Sequence, residues 1–182
     1  MIAGPNGAGK TSAAPDLLRD AVGIDAFVNA DVIAQGLAAF SPESTAFVAG
    51  RIMRRRLHEL ARAREDFAFE STLAGRSAYR LLTELVGVGY WLPSPDLAVA
   101  RVRRRVEAGG HDVPEPVIWR RFKKSLVNFD RLYRPVATTW RLYDGSVVGG
   151  RPLIAHGSGQ RAPVVMDQAK WLDIRTRIEE IP

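Results

Sequence analysis

The sequence predicts an α/β fold, a mostly parallel sheet with helices on both faces, built as a single domain over residues 1–182. Two observations carry that expectation. Short apolar segments alternate with helical stretches along the chain, the order that gives parallel strands. A glycine-rich turn also follows the first strand and opens a helix. The 182 residues suffice for one compact core. The balance of 46% hydrophobic and 25% charged residues is that of a globular protein and excludes disorder as the main state.

In chain order, Met1-Ile2-Ala3 reads as the end of a buried strand. A helix follows from Lys10, which Pro15 should shorten or bend by removing a backbone donor. Residues 26–31 read as a second strand ending on Asn29 and Asp31. Ser41-Pro42-Glu43 is a helix start: a cap, a first-turn proline and an acid at the positive end of the dipole. The helix over 42–64 carries Ala46, Ala49, Met53, Leu57 and Leu60 on one stripe. Residues 67–70 read as a third strand, ending in Glu70, and 77–86 as a helix. A short fourth strand is expected over 88–92, broken at Pro93. Helices over 96–108 and 114–133 flank Gly109-Gly110-His111, strands follow at 140–143 and 153–155, and a helix over 166–178 closes the order.

Charge and composition narrow the function classes. The net charge is +6, with 26 basic residues, and only Lys10, Lys123, Lys124 and Lys170 are lysine. Such a balance suits phosphate-bearing partners. Residues 51–64 hold six arginines against Glu59, a local +5. Residues 101–124 hold eight basic residues against Glu107, Asp112 and Glu115, again +5. No cysteine is present, which excludes thiol catalysis and cysteine metal sites. No apolar run approaches the ~20 residues of a membrane span, and no secretory signal is visible. A cytoplasmic address is expected.

The segment Gly4-Pro5-Asn6-Gly7-Ala8-Gly9-Lys10-Thr11 matches G-x-x-x-x-G-K-[ST] in full. Its glycines let the backbone curl so that amides face phosphate oxygens, and the following helix adds its positive end. Gly4, Asn6, Gly7, Ala8, Gly9, Lys10, Thr11 and Ser12 are the expected nucleotide-binding residues. Lys10 would bridge the β- and γ-phosphates, and Thr11 would ligate Mg²⁺. A turn that merely joined strand to helix would not require the lysine and the hydroxyl.

Ligands of open α/β sheets bind beyond the carboxyl ends of strands, where Asp31 and Glu70 are expected. Phosphoryl transfer needs a carboxylate at the acceptor hydroxyl and another near the metal. Asp31 is the expected acceptor-side base, and Glu70 is placed near substrate and Mg²⁺. The plainer alternative makes Asp31 a helix cap and Glu70 an exposed strand end.

The basic residues around Gly109-Gly110 have the layout of a closing lid over about 101–124. One or two of Arg101, Arg105, Arg120 and Arg121 are expected at phosphate. Arg105 and Arg121 are assigned to catalysis, and Arg101 and Arg120 to the nucleotide. The arginines of 51–64 read as a solvated face, or else as a surface for an acidic protein or nucleic acid. The histidines His58, His111 and His156 are scattered and give no metal-site pattern.

Taken together, the phosphate loop, Phe27-Val28-Asn29-Ala30-Asp31, Phe69-Glu70-Ser71-Thr72-Leu73-Ala74-Gly75-Arg76 and Gly109-Gly110-His111-Asp112-Val113-Pro114 with Arg120-Arg121 resemble the zeta-toxin-like P-loop kinases. The resemblance covers roughly residues 1–156. It implies a P-loop kinase-like three-layer fold with a helical lid. It also implies an ATP- and Mg²⁺-dependent kinase acting on a small-molecule hydroxyl, UDP-N-acetylglucosamine in characterised zeta toxins, and an antitoxin partner. By motif position Asp31 matches the acid that activates the acceptor. Glu70, Ser71, Thr72 and Arg76 match the substrate-side segment, and the arginines flanking Gly109-Gly110 match the lid. Relatives carry more residues before the phosphate loop and a longer apolar strand before Leu92-Pro93, so a reduced fourth strand is expected here. The alternative function is a basic ATP-binding module that contacts nucleic acid or a partner protein without kinase activity. No helix-turn-helix, zinc finger or RNA-binding aromatic motif favours it.

Overall fold

The computed structural model describes residues 1–20, 23–75, 79, 85–110, 112–147 and 149–181. Its strands are β1 Ile2–Ala3, β2 Ala26–Val28, β3 Phe67–Ser71, β4 Leu85–Trp91, β5 Ala137–Asp144, β6 Leu153–Gly157 and β7 Val164–Val165. Its helices are α1 Lys10–Ala14, α2 Ala30–Leu37, α3 Ala46–Ala63, α4 Pro95–Glu107, α5 Glu115–Asn128, α6 Arg134–Val136 and α7 Gln168–Glu179.

The strands form one seven-stranded sheet in the order β2-β3-β1-β4-β5-β6-β7. The first five are parallel, and β6 and β7 add antiparallel strands at one edge. This order places β1 and β3 side by side inside the sheet, with Ile2 opposite Glu70 and Ala3 opposite Ser71. The phosphate loop leaves β1 where the chain leaves β3, so two segments far apart in sequence emerge together. Gly4 N donates to Ser71 O at 3.1 Å and fastens the two exits.

Local chemistry explains most boundaries. Pro15 ends the α-helical part of α1, and the chain continues as a π-helical turn over Pro15–Asp20. Pro42–Thr45 forms a 3₁₀ turn ahead of α3, so the start at Ser41-Pro42 is a lead-in and the helix proper begins at Ala46. Ser94 caps α4 by accepting from Leu97 N at 3.2 Å. After α5 the helix widens to a π-helical turn over Phe129–Tyr133 before α6.

Two expectations need correction. The fourth strand is not reduced to 88–92: β4 spans Leu85–Trp91 and pairs with β5 along its whole length. Leu85 and Val86, expected at the end of a helix, are the beginning of that strand. The long ladder offered by β5 extends it backward, and tertiary pairing overrides local propensity. The rest of the expected helix over 77–86 lies, apart from Tyr79, outside the described residues. The second strand ends at Val28, so Asp31 stands in the first turn of α2 and not on a strand.

Buried apolar side chains form a contiguous cluster from Ile2 through Leu60, Phe69 and Trp140 to Ile178. Trp140 meets Phe129 edge-on at 5.7 Å, stacks on Trp171 at 6.2 Å and lies under Arg134 at 5.8 Å. These contacts fix α7 and the π-helical turn to the sheet. No helix among the described residues is long and apolar enough to cross a membrane.

Candidate active site

The phosphate loop adopts the curled form its glycines allow. Gly7 and Gly9 have φ of 76° and 79°, and Gly9 is the residue from which α1 starts. Gly4 has φ 142°, and a Cβ there would lie 2.4 Å from Tyr90 O. Lys10 is buried; its Nζ donates to Pro5 O at 2.9 Å and lies 3.4 Å from Glu70 Oε1. Burial pushes the Lys10 pKa below its ordinary value, an effect that Glu70 and then Asp31 oppose and Arg105 reinforces. A buried ammonium whose desolvation outweighs its partners favours a further anion, which fits a nucleotide phosphate.

Glu70, near the end of β3, is the centre of the network. Its Oε2 accepts from Thr11 Oγ1 at 2.7 Å and from Asn29 Nδ2 at 2.9 Å. Asn29 caps α2: its Oδ1 accepts from Asp31 N at 2.8 Å and Val32 N at 3.4 Å. The cap role weighed for Asp31 therefore belongs to Asn29. No group of three or more His, Cys, Asp or Glu residues arranged for a metal is found among the described residues. Mg²⁺ does not demand one, because it takes one or two protein oxygens beside phosphates and waters. The adjoining hydroxyl of Thr11 and carboxylate of Glu70 fit that requirement.

Beyond Glu70 opens a cavity of about 380 Å³. Asp31, Glu70, Ser71 and Thr72, which the sequence singles out, line it together. Arg121 of α5 lines it too and lies within electrostatic range of Asp31; burial lowers its pKa. The opposite wall is α3, through Phe47, Met53, Arg54, Leu57 and His58. Sequence reasoning missed that wall, having read the arginine-bearing faces of α3 as solvated. Its signal was present in Ala46, Gly50, Met53 and Leu57, a strip of small and apolar residues at helical spacing.

A second missed feature supports the loop after β3. Asn128 Nδ2 donates to Leu73 O at 2.6 Å, and Tyr133 Oη donates to Gly75 O at 2.7 Å. Ser71 Oγ accepts from Leu73 N at 3.0 Å, and Leu73 has φ 57°. The π-helical turn brings Tyr133 to the cavity wall, in keeping with the frequent placing of such turns at functional sites.

The basic residues of 101–124 divide. Arg101 donates to main-chain carbonyls: Gly7 O at 3.2 Å, Ser146 O at 2.8 Å and Gly145 O. It ties the phosphate loop to the turn after β5. Arg103 pairs with Glu115 at 2.8 Å across the α4–α5 junction. Arg105 lies within electrostatic range of Lys10. Arg120 is exposed and adjoins Arg121. Ser12 is exposed on α1. Arg76 and His111 lie outside the described residues.

Comparison with solved structures locates the architecture. A chain from the PezAT chromosomal toxin–antitoxin system of Streptococcus pneumoniae superposes with a TM-score of 0.58 at 14% identity, over 99% of this chain and 86% of that one. The fold is P-loop kinase-like. Shikimate kinase from Acinetobacter baumannii, solved with shikimate, gives a TM-score of 0.49 at 21% identity over 82% of this chain and 83% of that one. No protein-family model matches the sequence, and no curated protein matches it.

Proposed function

We propose that this chain is an ATP- and Mg²⁺-dependent phosphotransferase that phosphorylates a hydroxyl of a small molecule held in the cavity of about 380 Å³. One observation carries the reading. Glu70 binds Thr11 of the phosphate loop on one side, and on the other lines the cavity that Asp31 also lines. The nucleotide side and the acceptor side thus share a wall, as in-line transfer requires.

In this reading the loop backbone and Lys10 hold the phosphates. Thr11 and Glu70 would hold Mg²⁺, which supplies charge neutralisation on the transferring group. Asp31 accepts the proton of the acceptor hydroxyl as its oxygen bonds to the γ-phosphorus and the bond to the β-phosphate breaks, releasing ADP. Arg121 places positive charge beside Asp31 and the transferring group, and Arg105 adds to the field at Lys10. Arg120 is a further candidate for the nucleotide, and Ser71, Thr72 and Arg76 for the acceptor. The acceptor suggested by the sequence resemblance is UDP-N-acetylglucosamine. The PezAT neighbour comes from a toxin–antitoxin system, and by extension we assign this chain an antitoxin partner.

The test is transfer itself. The full chain is incubated with ATP, Mg²⁺ and either UDP-N-acetylglucosamine or a cell extract, and acceptors gaining one phosphate are read by mass spectrometry. Lys10→Ala should abolish nucleotide binding and transfer. Asp31→Asn should keep ATP binding and lose transfer by roughly 10²–10⁴-fold. A wild-type chain with no ATP affinity by calorimetry overturns the reading, and full transfer by Asp31→Asn removes Asp31 from its role.

A further inference from the structure

Asn29 is only 6% exposed, and both ends of its amide are engaged. Its Oδ1 accepts from Asp31 N at 2.8 Å, while its Nδ2 donates to Glu70 Oε2 at 2.9 Å. The same Glu70 oxygen accepts from Thr11, and the other lies 3.4 Å from Lys10 Nζ. One buried side chain therefore joins the backbone of the expected base to the carboxylate beside the phosphate loop. The orientation of the amide is fixed by its neighbours. Turning it over would set an oxygen against a carboxylate and an NH₂ against backbone N–H groups.

We propose that Asn29 is a positioning residue for phosphoryl transfer, holding Asp31 at a set place relative to Glu70, Thr11 and Lys10. The proposal rests on the phosphotransferase reading. Capping alone does not explain asparagine here. Asn, Asp and Ser cap helices about equally well. Only asparagine among them both caps α2 and donates to Glu70: aspartate has no donor, and serine is too short to reach across. Because α2 starts from this residue, a displacement of Glu70 moves the first turn of the helix, where Asp31 stands. A shift of about 1 Å at a reacting group can cost two orders of magnitude in rate.

Asn29→Ser and Asn29→Asp separate the two roles, because both preserve the cap. In the full chain, turnover is followed as ADP released from ATP and Mg²⁺, with water or cell extract as the source of acceptor. Asn29→Ser should lose some thermal stability with the bond to Glu70 but stay folded and keep its KM for ATP within about threefold, while kcat falls roughly tenfold or more. Asn29→Asp should fall further, since it sets a second carboxylate against Glu70. A residue that only caps predicts equal rates for all three, and that result overturns the proposal.

A second measurement needs no turnover. In denaturant unfolding, Asn29→Asp should be less stable than Asn29→Ser. That difference should vanish in the Glu70→Gln background, where the new amide can donate to the aspartate. A difference that persists there also overturns the proposal. A wild-type chain that binds no ATP, or binds it and releases no ADP, sinks the phosphotransferase reading and the catalytic half of this one. The unfolding cycle still decides whether the bridge exists.

Discussion

Arg101 offers the sharpest test of how the phosphate loop is held. Its guanidinium donates to the carbonyls of Gly7, Gly145 and Ser146, joining the loop to the turn after β5. Hydrogen bonds from a charged donor contribute about 1.5–3 kcal/mol each. Three bonds from one partly exposed group share a single charge, and freed carbonyls recover some water. Arg101→Ala should therefore cost about 3 kcal/mol in total, short of the additive sum. For a chain of 182 residues that lowers Tm by about 6–12 °C. Arg101→Lys should lose most of the same stability, because an ammonium cannot reproduce the planar fork. The assay is thermal and denaturant unfolding without nucleotide, followed by calorimetry with an ATP analogue. If Arg101 instead acts on phosphate, unfolding of the free protein stays unchanged, Arg101→Lys retains much of the affinity, and the reasoning from main-chain carbonyls is refuted.

Three further outcomes are expected. Gly4→Ala should destabilise the fold by about 3 kcal/mol or more, because its Cβ would lie 2.4 Å from Tyr90 O at a φ of 142°; a loss below about 1 kcal/mol in urea would contradict that packing. Tyr133→Phe removes the donor to Gly75 O, so it should cost about 1 kcal/mol and raise the acceptor KM while leaving ATP affinity unchanged; unchanged melting would dismiss the contact. For Lys10, burial lowers the folded-state pKa below the unfolded value of 10.5, so the unfolded chain binds more protons in the alkaline window just below that value. The stability of wild type relative to Lys10→Met should accordingly rise with pH there, and a flat or falling difference in denaturant unfolding would reverse the sign assigned to Lys10.

Two parts of the site were legible in the sequence because they are local. The phosphate loop is written in eight consecutive residues whose glycines fix the backbone and whose last two supply the ammonium and hydroxyl. Asp31 and Glu70 were legible as polar ends of apolar segments, although Asp31 proved to be helical. Its displacement from strand to helix follows from Asn29, whose side chain turns the backbone after Val28. The main-chain partners of Arg101 were not legible, for a different reason. Sequence shows that an arginine is near a glycine hinge, but not that carbonyls from residues 7, 145 and 146 converge on it.

The sequence by itself determined the alternation of strands and helices, the curled loop and the ammonium and hydroxyl that end it. Each depends on backbone preferences and side-chain chemistry within about ten residues. Tertiary structure decided which groups meet. Glu70 reaches Thr11 across 59 positions and Asn29 across 41, and Arg101 reaches Gly7 across 94. It also decided that α3 walls the cavity and that β4 begins at Leu85. Those outcomes follow from strand order and helix docking, where burial and pairing across the sheet outweigh the small free energies of local preference.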